Sequence, residues 1–173
     1  KIEEIIDLDN LTDYLAAQLF FANTDWPHNN LKMYFCNQGD GSKWRFAFFD
    51  TDYGFGYLGE ESVNTDMFKM LASRKDPFGK MYDALMKNND FKKLLRSKME
   101  SFIEKYANEK SLSVAIGNLE DLLEPAMANH TLRWRNPSSM DDWHGEVEIL
   151  RFFASNRADV ISKQLKTYFN NGN

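Results

Sequence analysis

Cysteine is nearly absent: Cys36 is the one cysteine in 173 residues. That excludes an intrachain disulfide and a multi-cysteine metal site. Three scattered histidines, His28, His130 and His144, argue against a His-rich zinc centre. Long apolar runs are missing too, and nothing in the sequence approaches the roughly 18 residues of a membrane span. Basic charge is in deficit, with 21 Lys and Arg against 26 Asp and Glu and a net charge of -5. A broad nucleic-acid interface needs a basic face, so no nucleic-acid partner is expected. No internal repeat and no low-complexity linker stands out. The sequence opens on Lys1 rather than Met, inside an amphipathic segment, and reads as an excised piece of a longer protein. Missing targeting signals therefore carry no weight.

What is present is a core. Apolar residues make up 43% and aromatics 14%, enough for one domain over residues 1–173. Residues 1–8 read as a short strand or turn. Asp9 is a candidate N-cap for a helix over about 10–22, with Leu11, Leu15 and Leu19 on one face and Tyr14 and Phe21 beside it. The helix is expected to stop at Asn23-Thr24-Asp25, and Pro27 bars its continuation. Leu31–Cys36 and Trp44–Phe49 are aromatic-rich and read as strands, joined by the turn residues Asn37-Gln38-Gly39-Asp40-Gly41-Ser42. An antiparallel hairpin follows, running into Asp50-Thr51-Asp52 and a sharp turn at Gly54, Gly56 and Gly59.

From about residue 65 the spacing is helical. Asp76-Pro77 is an N-cap followed by proline at the first helical position. Asp90 is expected to open the next helix and Ser111 another, the latter kinked or ended near Pro125. Its inner face is read as Val114, Leu119, Leu122 and Leu123. A last long helix is expected from about Asp141, facing inward through Val147, Leu150, Ala154, Ile161, Leu165 and Tyr168. The polar tail Asn170–Asn173 is expected to fray. The fold class expected is α+β, mainly α-helical, with one small antiparallel hairpin on a helical bundle.

The chemistry-bearing residues cluster in 23–56. Asp25 and Asn30 are five apart on the loop between helix and hairpin, and Asp50 ends the second strand. A hairpin brings its two ends together, so 25–30 and 50–52 meet in space. Phosphoryl transfer needs a carboxylate to orient the attacking hydroxyl and oxygen ligands to hold magnesium on the nucleotide phosphates. The kinase pattern has a catalytic Asp, an Asn five residues on, a short hairpin and a metal-binding Asp. Taken singly, Asp25 and Asn30 are ordinary turn residues; their joint occurrence with Asp50-x-Asp52 favours a metal–phosphate site. Asp50-x-Asp52-x-Gly54 also resembles the opening of a calcium loop, with Glu61 close to the closing position.

The same stretch resembles the spore coat protein H (CotH) family of secreted, atypical protein kinases. The resembling residues are Asn23-x-Asp25, His28-x-Asn30, Tyr34, Lys43-Trp44, Phe48-Phe49-Asp50-Thr51-Asp52 and Phe55-Gly56. Phe152-Phe153, Arg157, Val160 and Leu165 are similar to the family's closing helix. The resemblance implies a kinase C-lobe-like fold, with Asp25 as the catalytic or hydroxyl-orienting group. It implies Asn30 and Asp50 as ligands of the metal–nucleotide cofactor, with Asp52 beside them or as an alternative ligand. It further implies ATP with Mg2+ or Mn2+ as cofactor, Ser or Thr of a surface or coat protein as acceptor, and an extracellular or cell-surface location. Asn23-Thr24 stands where many kinases carry His-Arg, and Asp-Thr-Asp-Tyr-Gly replaces Asp-Phe-Gly. No Gly-rich loop with strand lysine and helix glutamate occurs in the sequence. The segment therefore reads as the C-terminal, catalytic-loop part of such a kinase, whose N-terminal part would lie upstream. A non-catalytic coat or assembly module and a calcium-stabilised binding domain are the alternatives from other classes.

Of the remaining residues, His28 reads as a group beside the acids or a solvated turn histidine. Trp26 and Trp44 read as packing, and Cys36 as a small apolar residue. Arg133-Trp134-Arg135 reads as a group facing a substrate or, the commoner case, as arginines bracing helices. Arg157 is expected to brace the closing helix against an acid.

Overall fold

A computed structural model describes residues 2–37 and 41–169. A 3-10 turn at Ile2–Glu4 leads into helix α1, Leu8–Phe21. Strands β1, Lys32–Cys36, and β2, Lys43–Ala47, follow, then a 3-10 turn at Glu60–Asn64. The rest of the described chain is mostly helical: α2 Met67–Ser73, α3 Pro77–Leu85, α4 Asn89–Lys105, α5 Glu109–Trp134 and α6 Met140–Phe169. The class is α+β, mainly helical, with one two-stranded antiparallel sheet. The tips of the hairpin turn at 38–40 and the tail at 170–173, for which a turn and fraying are expected, lie outside the described residues.

α1 is the central element. Leu11, Leu15, Leu19 and Phe20 are fully enclosed, and the buried positions cover most of its circumference. Burying side chains of this size stabilises by about 1.5–3 kcal/mol each. One side meets β2 through Tyr14, whose ring stacks on Phe46 with centroids 5.2 Å apart. Another meets α4, where Lys98 Nζ pairs with Asp9 and Asp13 at 2.7 and 3.0 Å. The N-cap of α1 is Asp7, which accepts from the Asn10 amide at 3.1 Å, and not Asp9. Asp7 wins because it sits in extended backbone and is held there by Arg45 at 2.9 Å. At the other end α1 stops at its own left-handed cap, Ala22 with φ 53°, whose N–H reaches Gln18 O. Pro27 lies beyond a helix already ended.

The hairpin pairs Lys32 with Ala47, Met33 with Phe46, Tyr34 with Arg45, Phe35 with Trp44 and Cys36 with Lys43. Phe46 alone of these is buried, so this small sheet rests on α1 by one residue and its neighbours. Trp44 is half-exposed and packs its ring on Phe35. Its backbone bridges to Ile5 and Asp7, tying the entry segment to the sheet edge.

Asp76 caps α3 by accepting from Gly79 N at 2.9 Å, with Pro77 at the first helical position, as expected. The caps of α4 and α5 fall a few residues earlier than Asp90 and Ser111, at Asn88 and Asn108. In both places an Asn in extended backbone accepts first-turn amides, the job that Asp and Ser were expected to do. α5 runs through Pro125 without ending there. Its inward face is Ile116, Met127 and Thr131, packed on Trp143, Val147 and Ala154 of α6. Val114, Leu119, Leu122 and Leu123, read as inner, are exposed. α5 has one neighbouring helix, so it buries a narrow stripe, and the other apolar positions face outward. Arg133, Trp134 and Arg135 at its end are exposed as well, with Arg133 over the Trp134 ring, and brace nothing.

Arg157 is fully buried on α6. Its guanidinium donates to four main-chain carbonyls: Leu19 and Phe20 at 2.8 Å each, Val63 at 2.5 Å and Thr65 at 2.9 Å. The expected acid partner is replaced by carbonyls. Two of these belong to the last turn of α1, where unpaired carbonyls and the negative end of the helix dipole favour a cation. Burial pulls the Arg157 pKa down to about 10, which leaves it charged at neutral pH.

Candidate functional site

The site grows from a seam between the residues after α1 and those after β2. Phe55 N donates to Phe21 O at 2.7 Å, and Thr24 N to Tyr53 O at 3.3 Å. Gly54 fits there because it lacks a side chain: a Cβ would stand 2.8 Å from Phe21 O and 3.2 Å from Thr51 O. The seam holds the loop 23–30 against the turn 50–55.

On the first side, Asp25 is gripped from three directions. Its Oδ1 accepts from Asn29 Nδ2 at 2.8 Å and lies 3.2 Å from His28 Nε2; its Oδ2 accepts from Asn30 Nδ2 at 3.0 Å. The Asn29 backbone N–H closes on Asp25 O at 3.1 Å, so the loop turns around this carboxylate. Trp26, fully buried, anchors the loop from below, edge-on to Tyr14 and to Phe78. With its amide N–H spent on Asp25, Asn30 keeps its carbonyl oxygen for another partner.

On the second side, Asp50 leaves β2 in the left-handed conformation, φ 52°, as does Asn30 on the first, φ 55°. Left-handed backbone in non-glycine residues is uncommon and clusters at working sites. The Asp50 carboxyl is held above the ordinary carboxylate range, first by its hydrogen bond with Asp52, then by partial desolvation, then by the charges of Asp52 and Asp25. Lys32, lying over the Phe49 ring at 4.1 Å, pulls the other way. Asp25, from the first loop, is thus among the charges that reach Asp50. Glu61, the candidate closing group of a calcium loop, instead accepts from Asn64 within its own turn.

The expected site residues therefore fall on the two sides of one seam, Asp25 bonded to Asn30 on the first and Asp50 beside Asp52 on the second, with Asp25 near enough for its charge to act on Asp50. Among the described residues, no group of three or more His, Cys, Asp or Glu side chains is arranged to hold a metal ion. The donors here are oxygens of a different mix, an amide carbonyl and two carboxylates. That mix suits magnesium, which takes one or two carboxylates plus substrate phosphates rather than an all-protein cage. Neighbouring carboxylates repel one another, and a divalent cation between them would relieve that repulsion.

Sequence reading missed Gln18 and Asn23, both fully buried between the seam and the core. The signal was present: Gln18 is a polar residue in the middle of the apolar surface of α1.

Fold and candidate site together define a class, a mainly helical α+β domain with an Asp-x-x-x-x-Asn loop set beside the acidic turn that follows a hairpin. The family model of the CotH kinase protein matches residues 1–161, and the chain belongs to that family. No curated protein and no solved structure matches it. None of the described helices is long and apolar enough to cross a membrane.

Proposed function

We propose that the chain is the catalytic-loop part of a CotH protein kinase, moving the γ-phosphoryl group of ATP to Ser or Thr of surface or coat proteins outside the cell. The observation that carries this reading is the Asp25–Asn30 pair, joined at 3.0 Å and set opposite Asp50–Asp52, in a chain of the CotH kinase protein family. Asp25 orients and deprotonates the acceptor hydroxyl. Its carboxylate is an acceptor with fixed direction because Asn29, Asn30 and His28 hold it. Asn30 Oδ1 and Asp50 hold the divalent cation, Mg2+ or Mn2+, with Asp52 beside them. When bound, the cation neutralises charge on the transferring phosphoryl group. The N-terminal part of the kinase, with its phosphate-covering loop and lysine, lies upstream in this reading.

Two substitutions in the full-length protein test it. Asp50→Ala should abolish metal-dependent ATP binding. Asp25→Ala should leave binding intact and lower phosphoryl transfer about 10³-fold, the scale of a lost general base. Binding of Mn2+–ATP by Asp50→Ala equal to that of the wild type would overturn the assignment of Asp50.

A further inference from the structure

Asn23 uses one side-chain amide twice. Its Nδ2 donates to Gln18 Oε1 at 3.0 Å and to the Asp50 backbone carbonyl at 3.3 Å. Its own backbone continues into the loop that carries Asp25, two residues on. The Asn23 carbonyl accepts from Trp26 N at 3.4 Å, inside the turn that presents Asp25. One fully buried residue thus touches both halves of the site, and it does so at the residue held in left-handed backbone.

The surroundings are costly to maintain. Gln18 Nε2, Asn23 Oδ1, Trp26 Nε1 and Tyr14 Oη are all buried and find no hydrogen-bond partner among the described residues. The Tyr14 hydroxyl lies close to both Gln18 and Trp26 without closing a well-aligned bond to either. Buried polar groups left without partners oppose folding, and apolar replacements of similar shape are often neutral or stabilising. Stability alone therefore does not explain a polar pair at 18 and 23. What apolar replacements would lose is the grip on Asp50.

We infer that Asn23 is a positioning residue, oriented by Gln18, whose side chain fixes the Asp50 main chain against the Asp25 loop and so sets the spacing between the two arms of the site. This rests on the proposed metal–nucleotide reading for its effect on binding, and not for its effect on the backbone. Groups that hold ligands from behind typically contribute ten- to a hundred-fold in metal affinity or activity when removed.

The test compares the full-length protein with Asn23→Leu, Gln18→Leu and Asp50→Ala. Two readouts are taken, amide hydrogen exchange over residues 50–55 and Mn2+ titration with and without ATP. Thermal melting is followed in parallel. In Asn23→Leu, exchange at 50–55 should rise while the helices stay protected, and Mn2+–ATP affinity should fall about ten- to a hundred-fold, more than any lowering of the melting temperature accounts for. Gln18→Leu, which leaves Asn23 in place without its guide, should shift both readouts in the same direction by less. It also serves if Asn23→Leu does not fold. Exchange at 50–55 unchanged in both variants overturns the inference. So does a loss of affinity that only tracks a lower melting temperature, since a structural role alone would produce that. Wild-type protein that binds no Mn2+–ATP, with exchange at 50–55 still raised by Asn23→Leu, overturns the metal–nucleotide reading and leaves the positioning role standing.

Discussion

Asp76 caps a helix and Asp50 stands three residues past the end of β2, and their surroundings push them in opposite directions. Asp50 is raised from its ordinary 3.8, first through its hydrogen bond with Asp52. The folded state therefore binds that proton more tightly than the unfolded chain does. Its ionisation opposes folding above the raised value, and the penalty vanishes as pH falls below the ordinary one. In metal-free buffer, Asp50→Asn should melt higher than wild type at pH 7, and the gap should close as pH drops toward 4. Melting curves across that range check this. Asp76 is lowered, first by the Gly79 amide and then by Arg74. Its ionised form stabilises the fold above 3.8, and that contribution is lost as pH falls through the lowered value. Asp76→Ala should cost about 1 kcal/mol at pH 7 and progressively less in acid, measurable by urea melts.

The nearness of the candidate site residues was legible at this scale because it is spelled by spacing. Asp25, Asn30, Asp50 and Asp52 stand at offsets that a loop–hairpin–loop brings together. The link from Asn23 to Asp50 was not legible, since a hydrogen bond from a side chain to a carbonyl 27 residues away leaves no mark on periodicity. The partner of Arg157 was misjudged for a related reason. A sequence displays acids, whereas the free carbonyls of a helix end exist only once the helix has formed.

Elements divide by how many neighbours they bury against. α1 touches the hairpin, α4 and α6, and its apolar residues were read correctly because nearly every side of it is covered. α5 packs on α6 through one stripe, so the sequence held more apolar positions than the core could use, and the wrong ones were read as inner. Leu122, at 72% exposed, is the sharpest case. Leu122→Gln should change stability by no more than about 0.5 kcal/mol, the usual range for surface substitutions. A loss of 2 kcal/mol or more in a chemical melt would place that face in a core. The opposite holds on α6. Arg157→Met removes the donor of three buried bonds and one part-buried bond to carbonyls and should cost several kcal/mol, on the order of 3 or more. Arg157→Lys should recover part of that, because an ammonium still donates up to three bonds from one point.

At the scale of the whole molecule, α1 and α6 form a frame, bolted together by Arg157 at the end of α1 from which the Asp25 loop departs. The hairpin is light and largely exposed, and it carries Asp50 back to that same place. The antiparallel hairpin, the helical run after it and the fold class were readable from turn residues, aromatic-rich strands and caps, whereas α2 was not singled out. Helix starts drifted by two or three residues wherever an Asn could cap a turn earlier than the Asp or Ser that followed. The account's central claim is that the two halves of the seam form one metal–nucleotide site. It is tested most directly by thermal shift of the full-length protein with Mn2+ plus ATP, Mg2+ plus ATP and Ca2+ alone, beside Asp50→Ala. Ligand at a hundred times its dissociation constant adds about 2.7 kcal/mol, so the account predicts a clear rise with either metal–ATP pair that is absent in Asp50→Ala. A rise with Ca2+ alone, or equal rises in wild type and Asp50→Ala, would contradict it.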